Sequence, residues 1–73
     1  MNERIVIDPR VAHGKPIIRG TRVPVARILG YLAGGMSFDD VQRDFDLTLE
    51  DMLAALGYAE ELVSHEQHHP LPA

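Results

Sequence analysis

The 73-residue sequence contains no cysteine, which excludes disulfides, thiolate metal sites and cysteine nucleophiles. No apolar run approaches the roughly 20 residues that span a bilayer, and the first residues are not followed by the apolar region of a signal peptide. We therefore expect a soluble cytoplasmic protein without a membrane-spanning segment. A chain this short forms one small domain with a thin core, and such domains often gain stability by forming oligomers.

Cations are scarce after residue 27. Residues 1–27 contain six Lys and Arg side chains against Glu3 and Asp8, a net charge of +4, whereas residues 28–73 contain Arg43 against nine carboxylates, a net charge of −8. The formal net charge of the whole chain is −4. This polarity predicts attraction between a polyanion and the N-terminal part, between a basic protein and the remainder, or between copies of the chain.

Patterns typical of catalytic and metal sites are missing as well. The sequence has no nucleophile–base pair at helical or loop spacing, and Gly14-Lys15-Pro16 lacks the spacing and the following Ser or Thr of a phosphate-binding loop. We predict that the chain is not an enzyme and needs no cofactor. His65 and His69 have the i, i+4 spacing of metal ligands on a helix. Pro70 would end a helix at that point, so we predict no metal site.

The most unusual stretch is residues 14–27, which we call the basic segment. It concentrates four cations and also contains two glycines and two prolines, residues that fix special backbone geometry rather than fill a core. Its apolar pair Ile17-Ile18 predicts a short strand that ends at Gly20. The β-branched run Arg4–Ile7 predicts the partner strand, with residues 10–16 as the connection. A surface hairpin with solvated arginines would have the same composition.

Three short helices are predicted after this ribbon. The first runs from about Pro24 to Ala33 and ends at two glycines, the second begins after Ser37, and the third begins after Thr48. Their apolar spacing predicts the buried faces. These are Val25, Ile28, Leu29 and Leu32 on the first helix, Phe38, Val41 and Phe45 on the second, and Leu49, Met52, Leu53, Leu56, Ala59 and Val63 on the third. Gly57 either marks close packing or loosens the third helix.

This order predicts a mainly α, small three-helix domain of the helix-turn-helix type with a short N-terminal β-ribbon over residues 1–63, followed by a flexible tail at residues 64–73. The exposed edges of the ribbon and the thin core predict a homodimer or a higher homo-oligomer. A helix that reads bases offers Arg, Lys, Asn or Gln near its N-terminus. The third helix offers Thr48, Glu50 and Asp51 instead, so any contact with DNA is expected from the basic segment.

The sequence contains a linked set of short motifs, which are Gly14-Lys15-Pro16, Gly20-Thr21-Arg22, Gly35, Ser37, Leu47-Thr48 and Glu50-Asp51. This set resembles the pattern of the bacterial and archaeal domain-of-unknown-function family 433. The resemblance covers roughly residues 4–60 and implies a homeodomain-like helical domain that acts as the antitoxin of a type II toxin–antitoxin pair, with a PIN-like ribonuclease as the toxin. The family has no established catalytic residues, and the His- and Pro-rich tail has no counterpart in its pattern.

Two functions follow from these observations. The first is an antitoxin that neutralises a PIN-like toxin and, as a dimer, regulates its own promoter by binding DNA. The alternative is a homo-oligomeric protein-interaction module without DNA binding. Arg22 and Arg27 could instead neutralise Asp39, Asp40 or Asp44 within the domain. The residues expected to contact DNA are Lys15, Arg19, Thr21, Arg22 and Arg27, and those expected to contact the toxin are Glu60, Glu61, Leu62 and His65.

Overall fold

The computed structural model describes residues 2–65. Two strands, β1 (Ile5–Ile7) and β2 (Pro16–Ile18), precede three helices, α1 (Val25–Ala33), α2 (Phe38–Phe45) and α3 (Leu49–His65). This order confirms the predicted mainly helical domain with an N-terminal ribbon. No helix within residues 2–65 is long and apolar enough to cross a membrane.

The two strands pair antiparallel, with Ile5 opposite Ile18. β1 begins one residue later than predicted, and β2 includes Pro16. The other edge of β2 is partly covered, because the N–H of Ile18 donates to the carbonyl of Val23 at 3.0 Å. The basic segment thus folds back along β2 before it enters α1.

The connection between the strands contains two residues in the left-handed region of backbone space. Ala12 has φ 52° and His13 has φ 57°, where a Cβ crowds the following carbonyl. The sequence did not predict this turn, because alanine does not signal a positive φ.

The ends of the helices follow the predicted chemistry. The hydroxyl of Ser37 accepts a hydrogen bond from the N–H of Asp40 at 3.1 Å, which satisfies one of the unpaired donors at the start of α2. Gly35 has φ +102° just after α1, and the N–H of Met36 donates to the carbonyl of Tyr31 at 3.0 Å, as in a left-handed C-terminal cap. Before α3, the hydroxyl of Thr48 accepts from the N–H of Asp51.

The core lies where the ribbon meets one side of each helix. The predicted faces of α1 and α2 are confirmed, because Val25, Ile28 and Val41 are buried and the remaining predicted residues pack partly against them. The core consists of Ile5, Ile18, Val25, Ile28, Val41, Leu47, Met52 and Ala55.

The predicted buried face of α3 is wrong for most of its members. The side of α3 that meets the core carries Met52, Ala55 and the carboxylate of Asp51. The apolar residues of this helix are spread around much of its circumference, and the rest of the domain covers only one side of it. A methyl group added at Gly57 would meet nothing within 4 Å, so close packing does not require this glycine. The members that lie exposed are Leu49, Leu53, Leu56 and Val63.

α3 continues through Ser64 and His65, the first two residues of the predicted tail. Residues 66–73, and with them the His69 half of the His65–His69 spacing, lie outside the described residues. The boundary between domain and tail stays a prediction.

Candidate functional site

The basic segment contains a tightly hydrogen-bonded turn. Gly20 has φ +80°, a conformation that glycine adopts at no steric cost. The N–H and the hydroxyl of Thr21 both donate to the carbonyl of Ile18, at 3.0 and 2.8 Å, and the hydroxyl accepts from the N–H of Val23 at 3.0 Å. Phosphate oxygens only accept hydrogen bonds, so Thr21 could donate to one only by releasing Ile18.

Arg19 is tied to the N-terminal residues. Its N–H donates to the carbonyl of Arg4 at 2.7 Å, and its Nε donates to the carbonyl of Glu3 at 2.6 Å. Its two terminal nitrogens make no hydrogen bond within residues 2–65. Arg19 therefore helps to hold residues 3–4 in place and still presents its charge to solvent.

Lys15, Arg22 and Arg27 have exposed side chains that make no hydrogen bond or ion pair within residues 2–65. Lys15 borders an apolar groove, and Arg27 lines a shallow depression with Gly30 and Tyr31. These two cations lie in different grooves, so the sequence-predicted contact set does not occupy a single cleft.

The proposed neutralisation of Arg22 and Arg27 by α2 does not occur among the described residues. Asp40 pairs with Arg43 on the same helix. Arg22 instead lies near Asp8, whose pKa is held below its usual value chiefly by hydrogen bonds from the side chain and backbone of Arg10, with a smaller contribution from the charge of Arg22. The charges of the basic segment are therefore largely available to a partner.

Asp51 fastens the start of α3 to the N-terminal residues. Its Oδ1 accepts from Nη1 of Arg4 at 3.0 Å and its Oδ2 accepts from the N–H of Thr48 at 3.0 Å. The residue is only 9% exposed. Nearby, the amide of Asn2 donates to the carbonyl of Ala54 at 3.1 Å. The three-residue spacing of Thr48 and Asp51 is a capping-box signal, but nothing in the sequence points to Arg4 as the partner.

The exposed surface at the start of α3 is unsuited to reading bases. It presents Leu49, Glu50 and Leu53, and no Lys or Arg occurs anywhere between residues 49 and 65. Carboxylates near the DNA backbone would be repelled by phosphates. The geometry agrees with the expectation that α3 does not act as a recognition helix.

The four residues expected to contact a toxin are exposed but do not share one face of α3. Leu62 lines an apolar groove of about 280 Å³ together with Lys15, which places it against α1 and β2. Glu60 accepts a hydrogen bond from the hydroxyl of Ser64 at 2.7 Å, whereas the Nδ1 of His65 donates to the carbonyl of Glu61 at 2.7 Å. Glu60 and Leu62 lie on roughly opposite sides of the helix, because they are two residues apart.

A second groove, of about 450 Å³, separates the N-terminal residues from the first half of α3. Sequence reasoning did not find it, because the residues on its two walls are almost fifty positions apart. The groove is lined by Asn2, Glu3, Arg4, Glu50, Leu53 and Ala54.

No cluster of three or more His, Cys, Asp or Glu side chains within residues 2–65 could hold a metal ion.

The family model described as "Protein of unknown function (DUF433)" matches residues 5–59. This chain belongs to that family. The match includes both strands, α1, α2 and most of α3, so it covers the part of the chain that forms the core. It confirms the resemblance that the linked motifs indicated.

This DUF433 chain has relatives that are similar in sequence. A Mycobacterium tuberculosis protein named "Putative antitoxin VapB45" is 38% identical over 52 residues, which is 71% of this chain and 22% of that protein. An uncharacterised protein of Archaeoglobus fulgidus is 61% identical over 23 residues, 32% of this chain and 64% of that protein. The chain thus spans about a fifth of the first relative and under two thirds of the second.

Solved structures share this fold. A DUF433 protein from Anabaena variabilis superposes with a TM-score of 0.79 at 33% identity, covering 86% of this chain and 63% of that one. Rv2018 from Mycobacterium tuberculosis superposes with a TM-score of 0.65 at 38% identity, covering 71% of this chain and 24% of that one. Another DUF433 protein therefore shares the architecture of this chain.

Proposed function

We propose that this chain is the antitoxin of a type II toxin–antitoxin pair that acts in the cytoplasm as a homodimer. It regulates by binding and has no catalytic role of its own. The observation that carries the proposal is its 38% identity, over 71% of its length, with a protein named as an antitoxin.

The proposed toxin is a PIN-like ribonuclease, and the acidic C-terminal half of α3 is its contact. An enzyme that handles RNA needs a basic surface around its active site, which an acidic helix complements. Glu60, Glu61, Leu62 and His65 supply charge and apolar surface there, all with exposed side chains. The apolar groove beside Leu62 would receive an apolar side chain of the toxin.

The proposed DNA contact is the basic segment, through Lys15, Arg19, Arg22 and Arg27. These side chains suit phosphates, which fix the position of a protein on DNA without reading the sequence. Thr21 is a weaker candidate, because its hydroxyl proton already bonds the carbonyl of Ile18. Binding of this kind would depend strongly on salt.

The alternative is a homo-oligomeric interaction module that does not bind DNA. It is favoured by the acidic start of α3 and by the internal hydrogen bonds of Arg19 and Thr21. Under this alternative the cations of the basic segment would only keep the surface solvated. The two functions differ in whether promoter DNA is bound in a salt-dependent way.

Co-expression with the adjacent reading frame tests the proposal. The neighbour should arrest growth when expressed alone, and this chain should restore growth and co-purify with it. Glu61→Lys should weaken capture about tenfold, because a like charge would face the basic toxin. Asp44→Lys on α2 makes the same change of charge at another exposed position and should leave capture unchanged. A neighbour that neither arrests growth nor co-purifies would contradict the proposal.

Removal of residues 64–73 gives a second test of the toxin contact. We expect weaker capture of the toxin with the fold intact, because the core ends well before Ser64. Circular dichroism checks the fold and a pull-down checks the capture. Unchanged capture would confine the contact to the helix before Ser64.

A further inference from the structure

α3 carries an exposed line of apolar side chains, which we call the α3 stripe: Leu49, Leu53, Leu56 and Val63. Their exposed fractions are 48%, 54%, 36% and 56%. Leu49, Leu56 and Val63 are spaced seven residues apart, and Leu53 lies one turn from both leucines, so the four lie along one side of the helix. That side is next to the side that carries Met52 and Ala55, but the core does not cover it.

This arrangement is the seam of a helix pair. Apolar residues that recur every seven positions keep two helices in contact along their length. From Leu49 to Val63 the stripe runs for about 21 Å at 1.5 Å per residue. A chain of 73 residues that leaves four large apolar side chains in line on one helix has a surface of the kind that marks interaction sites.

We propose that the α3 stripe pairs with the α3 stripe of a second copy, with the two helices antiparallel and a two-fold axis beside Leu56. This rests on the homodimer named in the proposed function and does not depend on the toxin or on DNA. Leu49 and Val63 each lie seven residues from Leu56, so each faces the other across the interface. Leu56 faces Leu56 of the second copy.

Charge selects the antiparallel orientation. Glu60 lies on the stripe, one turn after Leu56, whereas Glu61, Leu62 and His65 lie on another side of the helix. In the dimer the toxin contact therefore falls to those three residues. In a parallel pair Glu60 would face the second copy's Glu60, and like charges repel across an interface. In an antiparallel pair Glu60 lies level with Met52 in the second copy, one residue before Leu53 and beside the groove that Arg4 lines with Leu53. The side chain of Arg4 is 50% exposed and uses Nη1 for Asp51, so its other donors are available to Glu60.

The ribbon is a weaker candidate for the dimer contact. β1 has an uncovered edge but is only three residues long, and one edge of β2 is partly bonded to Val23. Three residues supply few main-chain hydrogen bonds between copies, whereas the α3 stripe supplies apolar area along four turns.

Sedimentation of matched variants tests the surface. Leu53→Glu should convert the dimer to a species of 8.1 kDa without loss of helix content, because Leu53 is outside the core. Leu62→Glu makes the same change on another face of α3, where the exposure is similar at 52%, and should remain dimeric. A wild type of 8.1 kDa, or a dimeric Leu53→Glu variant, would overturn the proposal.

Disulfide trapping tests the orientation, since the chain has no native cysteine. A Leu49→Cys, Val63→Cys double variant should oxidise to a dimer in which peptide mapping finds bonds between positions 49 and 63. Bonds of 49 to 49 or 63 to 63 would overturn the antiparallel pairing. Glu60→Lys should raise the dimer dissociation constant about tenfold, whereas Glu61→Lys should leave it unchanged. Equal effects of both substitutions would contradict the pairing with Arg4. Toxin capture is not measured in these experiments, so failure here is distinct from failure of the antitoxin function.

Discussion

The basic segment and α3 both leave side chains in solvent that the fold does not use, but the two surfaces differ in kind. The basic segment exposes cations, and an exposed charge costs a folded protein little because water solvates it. α3 exposes leucines in a line, and each Å² of apolar surface left in water forgoes about 25 cal/mol. The comparison teaches that the apolar surface is the stronger indication of a partner, although charge drew more attention in the sequence.

Asp51 fastens the start of α3 to Arg4, and its removal is expected to have the largest effect. Asp51→Ala should lower the free energy of unfolding by about 1–2 kcal/mol, since it removes the carboxylate that accepts from the N–H of Thr48 and leaves Arg4 without its partner. Chemical denaturation at fixed protein concentration measures this loss. Glu50→Ala, an exposed neighbour, should change the stability by less than about 0.5 kcal/mol. Similar losses in both variants would show that the Arg4–Asp51 contact contributes little.

The cations of the basic segment are expected to affect DNA binding rather than stability. Arg22→Ala and Arg27→Ala should each weaken binding of the promoter fragment uniformly across DNA sequences, and each should reduce the slope of log affinity against log salt by roughly one unit. A salt series of binding curves measures the slope.

Arg43→Ala is the matched control for DNA binding. Arg43 lies on α2 and pairs with Asp40, so its removal should leave the slope unchanged. If the wild type shows no salt-dependent binding even with its toxin present, the DNA contact is absent and the alternative function stands.

Gly57 offers a way to stiffen α3 without changing either surface. Gly57→Ala should raise the stability by about 1 kcal/mol, because alanine favours the helix and its methyl group meets nothing within 4 Å. Thermal denaturation measures the gain. Gly35→Ala should do the opposite, since its φ of +102° is strained for any residue with a Cβ. A loss of stability in Gly57→Ala would mean that the glycine is needed where it lies.

Ala12 lies in the connection that precedes the basic segment, and its substitution is expected to have the smallest effect on stability. Ala12→Gly should stabilise the fold by about 0.5 kcal/mol, because relief of the left-handed strain is partly offset by the greater entropy of glycine in the unfolded chain. Ala26→Gly, in the exposed part of α1, should instead destabilise by about 1 kcal/mol. Equal losses in both variants would mean that the strain at Ala12 is negligible.

Local signals predicted the elements of the fold, and contacts distant in sequence were not predictable. Ser37, Thr48 and Gly35 signalled helix ends through hydrogen bonds over a few residues, so the boundaries were right within about a residue. The prediction of which side of α3 is buried was wrong. Apolar residues such as Leu53 and Met52 lie on neighbouring sides, and their spacing does not show which side meets the ribbon. The pairing of Arg4 with Asp51 joins residues 47 positions apart.

The candidate site was predictable in composition and less so in geometry. The cations of the basic segment were identified from charge alone and are exposed as expected. The hydrogen bonds that Thr21 and Arg19 make within the fold depend on the geometry of the turn at Gly20. The charge pattern of the sequence does not reveal that geometry. The seven-residue spacing of Leu49, Leu56 and Val63 was the available signal for the α3 stripe, but the same spacing also suits a buried face.

A protein partner is expected to contact α3 while the basic segment remains available. Hydrogen exchange of the dimer alone and of the dimer with its captured toxin tests this most directly. We predict slower exchange in the C-terminal half of α3, around Glu61 and His65, and unchanged exchange in residues 14–27. Slower exchange confined to residues 14–27, with α3 unaffected, would contradict the account.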